Sequence, residues 1–476
     1  MHARQGSSMT ATGSKKPYSV AIISFKPGYG HIQPLLKVAD ALSQAGFTIR
    51  CYLAEECASL MTRFNFDYVL FESTHLEGQR KVMVRKFARG LFFNRFIYYV
   101  HYLLLYPAMI DVASRAVQPL KQELSDQQPD VIICDPHWVG EWCPRIAAFF
   151  NVPLIINNLD GNLQYNQREF VQLYGVTTVP PALQRVVELA GSACNKLCRI
   201  YYRLRYIRTW LKLRTAKRTA TRAFETAFPL SSRASAAVRR IVVGTAPIER
   251  ARLGGLIKTE GADYPEFHPI RFRSAVPLSK DICEWIEGAE GRPIVYVSFG
   301  SAVQIDAAFA AAVYRGLQQV SARVLWSLPE NQAAVVAKLP AAENIRIESF
   351  VPQAEILDIP AVRCFVTHAG PSSVQEGLFG ATPMVCIPFF ADQGYNSWIV
   401  ENLRVGRRLW HRNVSPDTIS EAVQDILTNA DYLCAAQEIR DDLLRNDGGE
   451  AVARYVAEIC DLRDLSEKSR LRGDGG

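Results

Sequence analysis

Three short stretches hold the residues best equipped for chemistry. PGYGHIQP (27–34) follows the apolar run YSVAIISF (18–25) and sets His31 behind two glycines. PDVIICD (129–135) ends on Asp135. FVTHAGPSSVQEGLFGATPMVCIPFFADQGYNS (365–397) presents His368, Gly370, Ser372, Ser373 and Glu376, then Asp392 and Gln393. A neutral imidazole titrates near physiological pH and can take a proton as a general base. The positive end of a helix disfavours imidazolium, so a carboxylate such as Asp135, opening on the same sheet edge, would help His31 hold that proton. The plainer account of His31 is a structural or capping histidine. In the third stretch, His368, the Gly370 turn and the hydroxyls of Ser372 and Ser373 meet at the expected start of a helix, where free N–H groups and the dipole suit a diphosphate. Glu376, one turn further in, could accept from a ribose diol; a Ser373-x-x-Glu376 capping box would explain it equally.

Other nucleotide motifs fit poorly. A dinucleotide fingerprint requires a third glycine where Gln33 stands, and no acid closes the second strand in IRCYLAEE except Glu55, which is badly placed. No G-x-x-x-x-G-K-[ST] loop occurs. Of eleven cysteines only Cys194 and Cys198 lie close together, without a second pair at metal-site spacing, so we expect free thiols, a reducing compartment and no metal site.

Strand-like and helix-like stretches alternate to position these residues. YSVAIISF, FTIRCYLA (47–54), FDYVLFES (66–73), PDVIICD and VPLIINN (152–158) read as strands of one unit. RPIVYVSFGS (292–301), ARVLWSL (322–328), NIRIESF (344–350), RCFVTHAG (363–370) and PMVCIPF (383–389) read as strands of a second. Such alternation implies parallel sheets with right-handed crossovers, an α/β class of two doubly wound domains. We expect a disordered tail over 1–17, an N-terminal domain over 18–260, a proline-bearing linker over 261–280 and a C-terminal domain over 281–445. A helix over 446–462, able to pack back on the first domain, and a disordered tail over 463–476 complete the chain. At 476 residues with 49% apolar and 21% charged residues, two globular domains are the default expectation. The apolar stretch 96–110 is too short to span a bilayer and the first residues lack a signal-like core, so we expect a cytoplasmic protein.

PGYGHIQP, FVPQAEIL (350–357) and HAGPSSVQEGLFGATPMVCIPFFADQ (368–393) together closely resemble the UDP-glycosyltransferases, inverting nucleotide-sugar-dependent enzymes of the GT-B fold. The resemblance spans roughly 18–462 and is densest over 350–397. It implies His31 as the base on an acceptor hydroxyl and Asp135 as its charge partner. It implies a UDP-sugar co-substrate bound by Phe350, which stacks on the base, Val351, Gln353, His368, Gly370, Ser372, Ser373 and Glu376. Ser301 would face the phosphates from the other side, and Asp392 and Gln393 would hold the sugar. Pro371-Ser372-Ser373 departs from the family's usual turn by putting a hydroxyl where an amide is common, and Phe350 stands for the usual Trp. No cofactor is implied, since the helix N-terminus and His368 would take the leaving-group charge. The alternatives are a decayed UDP-sugar-binding protein, kept in view by the altered turn, and a nucleotide-sugar epimerase.

The acceptor is expected to be a hydrophobic hydroxyl compound or lipid. Segment 78–110, rich in aromatics and arginine, is either its pocket or a core helix pair. Residues 191–222 carry ten Lys and Arg and no acid, so the remaining chain is at −3 against a total of +7. The basic pI therefore describes one segment, and a nucleic-acid partner is not expected. Leu197, Ile200, Tyr201, Leu204, Ile207 and Leu211 recur there at helical spacing, which reads either as a peripheral membrane element or as a solvated lid.

Overall fold

The structure, a computed structural model, describes residues 17–25, 29–61, 64–72, 110, 113–135, 142–158, 207–230, 237–253, 265–272, 276–300, 303–389 and 392–473. Two parallel sheets form separate layers. The first has strand order β3-β2-β1-β4-β5-β6-β7, from β1 (Ser19–Ser24), β2 (Thr48–Ala54), β3 (Asp67–Phe71), β4 (Val131–Cys134), β5 (Leu154–Asn158), β6 (Val238–Val243) and β7 (Glu266–Phe267). The second has order β10-β9-β8-β11-β12-β13, from β8 (Ile294–Ser298), β9 (Arg323–Ser327), β10 (Ile345–Glu348), β11 (Val362–Thr367), β12 (Met384–Cys386) and β13 (Gly406–Arg408). The helices used below are α1 (Tyr29–Gln44), α2 (Cys143–Phe150), α3 (Ile207–Ala227), α4 (Gln353–Leu357), α5 (Pro371–Phe379), α6 (Gln393–Asn402) and α7 (Gly448–Gly473).

Central strands such as VIIC and IVYVS are buried along their whole length, as strands covered on both faces must be. Side-chain alternation splits each sheet into two cores. In the first, Ala21, Ile23, Ile132, Cys134 and Ile156 meet Trp142, Phe224 and Phe228, while Val20, Ile22, Val131, Ile133 and Ile155 meet Leu35, Leu36 and Leu42 of α1. In the second, Tyr296, Leu325, Phe365 and Met384 line one face and Val295, Val297, Val324 and Val366 the other.

Three segments differ from the sequence expectation. Glu266–Phe267, inside the expected linker, pairs in parallel with β6 as an edge strand, and Ile270 is buried in the α1-side core. A two-residue strand is too short to leave a period-2 signal between prolines. The C-terminal helix is not confined to 446–462: α7 runs to Gly473, because Leu462-to-Leu471 holds neither Gly nor Pro to stop it. Val452, Ala453, Val456 and Cys460 of α7 enter the N-terminal core, and Tyr18 donates to Asp464 at 3.0 Å. At the crossing a Cβ on Gly448 would stand 2.0 Å from the His268 carbonyl oxygen, so only glycine fits. Finally, of the basic segment only α3 is described; 191–206 and 78–109 lie outside the described residues. The second half of α3 is a core helix on one face: Ala220 and Phe224 are buried, and Phe224 stacks on Trp142 at 4.7 Å. Arg214, Arg218 and Arg222 are exposed. Among the described residues no helix is long and apolar enough to cross a membrane, and the nine described cysteines are free thiols.

Candidate active site

Both sheets reverse strand order at their middle pair, β1/β4 in the first and β8/β11 in the second. Open α/β sheets bind ligands beyond the carboxyl ends of strands at such points. Asp135 and the start of α1 follow the first reversal; His368 and the start of α5 follow the second.

At the first, Ile23 pairs with Cys134, which sets Ser24 beside Asp135. Both are fully buried, and Ser24 Oγ donates to Asp135 Oδ2 at 2.6 Å. His31 lies in the first turn of α1, above this pair in the chain path, and its side chain lies outside the described atoms. Pro34 lacks the N–H that would bond the Gly30 carbonyl, so the turn carrying His31 has one hydrogen bond fewer than an ordinary helix. The next strand adds Asn157, fully buried, with neither amide atom hydrogen-bonded. Ser24 and Asn157 were missed by sequence reasoning. The available signal was a polar residue at the end of each apolar run, on the three strands that turn out to be neighbours.

At the second, α5 starts at Pro371 with Gly370 as N-cap and no capping side chain. Helices Lys280–Glu287 and Ala307–Gln318 have their first turns bonded by Ser279 and Asp306. The capping-box account of Ser373 and Glu376 is therefore removed. Proline is favoured at the first helical position, so the helix begins too early for Ser373 to serve as its cap. Ser372 Oγ and His368 Nδ1 are both buried without a hydrogen-bond partner. Ala369, between His368 and Gly370, sits at φ +61°, a left-handed conformation that is costly for a residue with a Cβ. The His368 ring is held between two glycines. A Cβ would lie 2.7 Å from the ring at Gly300 and 2.6 Å from it at Gly370. Burial pushes the His368 pKa down to about 4, against a hydrogen bond with the Ser298 backbone, so the imidazole is neutral near pH 7. A neutral ring has a single N–H and brings no charge, which leaves the helix N-terminus as the electropositive element.

Gln353, opening α4, donates to Ser373 Oγ at 3.1 Å and to Glu376 Oε2 at 2.6 Å, so the three form one polar chain. Phe350 is 48% exposed. Val351 differs from expectation: its side chain is buried in the core beside Ile356 and Leu357, so only its backbone is left for a ligand. Gln393 is buried and its side-chain oxygen accepts from the Phe389 N–H at 2.9 Å, which fixes the loop after β12. Asp392 accepts from Asn396 at 3.1 Å, and the same Asn396 amide bonds the Ala369 carbonyl at 3.0 Å, tying Asp392 to the His368 turn. Ser301 lies outside the described residues.

The domains meet at Glu376. Gln33 Nε2 donates to Glu376 Oε1 at 3.2 Å, and Lys37 Nζ stands 4.0 Å from the same oxygen. Sequence reasoning missed both partners, because their carboxylate lies more than 300 residues away in the chain.

The family model for "UDP-glucoronosyl and UDP-glucosyl transferase" matches residues 267–439. Over that span the chain is similar to the UDP-glycosyltransferases. The matched span holds every donor-side residue described above. Among curated relatives, nuatigenin 3-beta-glucosyltransferase of Solanum aculeatissimum is 27% identical over 217 residues, 40% of this chain and 44% of that protein. The chain thus aligns with less than half the length of that relative. The crystal structure of Arabidopsis thaliana UGT89C1 superposes with a TM-score of 0.61 at 18% identity, covering 94% of this chain and all of that one. Os79 from O. sativa, solved in complex with UDP, gives 0.60 at 15% identity over 92% of this chain and all of its own. The fold is GT-B, two Rossmann-like α/β domains.

Proposed function

We propose that the chain is a UDP-glycosyltransferase that moves a hexose, with glucose the leading candidate, from a UDP-sugar to a hydroxyl of a hydrophobic small molecule or lipid. The observation that carries the reading is the start of α5. α5 has an uncapped N-terminus, Ser372 Oγ in its first turn is buried without a hydrogen-bond partner, and the neutral His368 ring stands just before it, a set of groups that suits a diphosphate. Polar groups left unbonded in a buried place cost on the order of 1–3 kcal/mol each, so a site that keeps them is arranged for a ligand that bonds them. Phe350 offers a face to the base, Glu376 offers lone pairs to the ribose, and Asp392 with Gln393 holds the sugar.

The acceptor oxygen loses its proton to His31, and buried Asp135, oriented by Ser24, stabilises the resulting imidazolium. That oxygen attacks the anomeric carbon from the face opposite the diphosphate, and the carbon–oxygen bond to UDP breaks with inversion. The departing negative charge falls on the α5 N–H groups, the Ser372 hydroxyl and neutral His368. The name of Os79's complex and the glucosyltransferase names of the curated relatives support a uridine donor. The exposed arginines of α3 support peripheral contact with anionic membranes as the setting for a lipophilic acceptor.

Incubation with UDP-glucose and a panel of hydrophobic alcohols and phenols, read by mass spectrometry, tests the proposal. A glycoside product of inverted configuration, lost in His31→Ala with UDP binding retained, is the expected result. Epimerised sugar nucleotide without glycoside, or UDP binding with no turnover on any acceptor, would replace it by the epimerase or the binding-protein reading.

A further inference from the structure

Glu376 is the place where the N-terminal domain reaches into the donor site. Its side chain is 8% exposed and that of Lys37 4%, so both charges are withdrawn from water. Oε1 accepts from Gln33 and faces the Lys37 ammonium at 4.0 Å; Oε2 accepts from Gln353 at 2.6 Å. Each carboxylate oxygen offers about two acceptor positions, so one on each oxygen is left for a vicinal diol. A buried carboxylate stays ionised only if charge and hydrogen bonds compensate its lost hydration. Burial lowers the pKa of Lys37, and the charge of Glu376 opposes that fall. Lys37 and Gln33 lie one turn apart on α1, the helix whose first turn carries His31.

We propose that Lys37 is a specificity-determining residue that acts through Glu376: with Gln33 and Gln353, its ammonium fixes the orientation of the buried carboxylate so that a lone pair of each oxygen is presented to a vicinal diol, and the site selects ribonucleotide over 2′-deoxyribonucleotide donors. This rests on the UDP-sugar reading. Gln33 supplies the neutral part of the same clamp. Because both groups sit on α1, the residue that reads the ribose is tied to the element that carries the acceptor base.

The test is calorimetric titration of the full chain with UDP and with 2′-deoxy-UDP, on the wild type and on Lys37→Met, Glu376→Gln, the double variant and Gln33→Leu. A hydrogen bond to a charged group predicts that the wild type prefers UDP by about tenfold or more. Lys37→Met, which removes the cation facing Oε1 and frees the carboxylate to turn, should bring that preference to within about threefold and should change nothing further when Glu376→Gln is already present. Retention of the full preference in Lys37→Met overturns the inference, as does an equal loss of UDP affinity with and without Glu376→Gln, which is what a merely structural lysine would give. Should thermal melting show Lys37→Met unfolded, Gln33→Leu decides: a preference reduced about threefold supports the clamp, and an unchanged one overturns it. A wild type that binds neither nucleotide overturns the donor reading and this inference with it, whereas UDP binding without ribose preference overturns the inference alone.

Discussion

Gly370→Ala probes the donor turn through a single added methyl. The backbone at Gly370 (φ −64°, ψ 152°) is ordinary extended geometry, so alanine brings no backbone strain. Its Cβ would stand 2.6 Å from His368 Nε2 and 3.0 Å from Cε1. Restoring ordinary contact at about 3.4 Å requires the ring to move by roughly 0.8 Å, a displacement of the size that turns a hydrogen bond into a non-bonded contact. The ring can retreat only towards Gly300, where the missing Cβ leaves its room. Overpacking of this kind costs about 1–3 kcal/mol of stability, and loss of the His368 bond to a phosphate costs about 1.5–3 kcal/mol of UDP affinity, or roughly 10- to 150-fold. The assay is UDP titration with parallel thermal melting, repeated in a His368→Ala background. There the alanine at 370 has no ring to meet, and its effect on both readouts should vanish. An equal penalty in the presence and absence of the imidazole would refute the placement of His368 between the glycines. Unchanged UDP affinity would refute its role at the phosphates. Gly300→Ala is the less clean variant, because φ at Gly300 is +68° and a backbone cost would be added to the contact.

Three further outcomes are expected. Asp135→Asn should lower transfer by roughly 10³- to 10⁴-fold with UDP affinity unchanged, while Ser24→Ala, which removes a donor to the same carboxylate, should cost about 1–3 kcal/mol in chemical denaturation. His368 has its folded-state pKa lowered to about 4, so between that value and its ordinary 6.5 the unfolded chain binds the extra proton and stability rises with pH. Acidification from pH 6.5 to 4 should therefore remove about 3 kcal/mol through this residue, measurable by denaturant titration and flattened in His368→Ala. Co-sedimentation with anionic liposomes at low salt should capture the chain, and replacing exposed Arg214, Arg218 and Arg222 by Ser should release it; absence of binding to anionic vesicles would leave the basic segment as a lid.

The framework was legible in the sequence because buried parallel strands declare themselves as uninterrupted apolar runs. VIIC ending on Asp135 and CFVT ending on His368 both did so, and the parallel-sheet rule then put the following residues on one edge. What stayed hidden depended on contacts between segments far apart in the chain. The helix start at Pro371 instead of nearer Ser373 leaves an uncapped helix terminus in place of an apparent capping box, and local pattern alone favours neither. Val351 looked like part of a binding strip because it stands between Phe350 and Gln353, yet that strip is an irregular segment in which the side chains diverge: Phe350 faces solvent and Val351 the core. Glu266–Phe267 is a strand only because β6 is there to bond it.

Gln33 makes the same point in the opposite direction. At the loop PGYGHIQP it stands where a dinucleotide-binding turn would need its third glycine, and on that ground the first domain loses its claim to the nucleotide. In the folded chain its amide reaches across to Glu376, so the residue that disqualifies the loop as a phosphate cradle bonds a carboxylate of the proposed nucleotide site in the other domain. A glycine at that position could not span the cleft, and the buried charge of Glu376 would be compensated by Lys37 and Gln353 alone. The proposed division between an acceptor domain and a donor domain is thus incomplete: α1, whose first turn carries the proposed acceptor base, also holds, through Gln33 and Lys37, the carboxylate proposed to read the ribose.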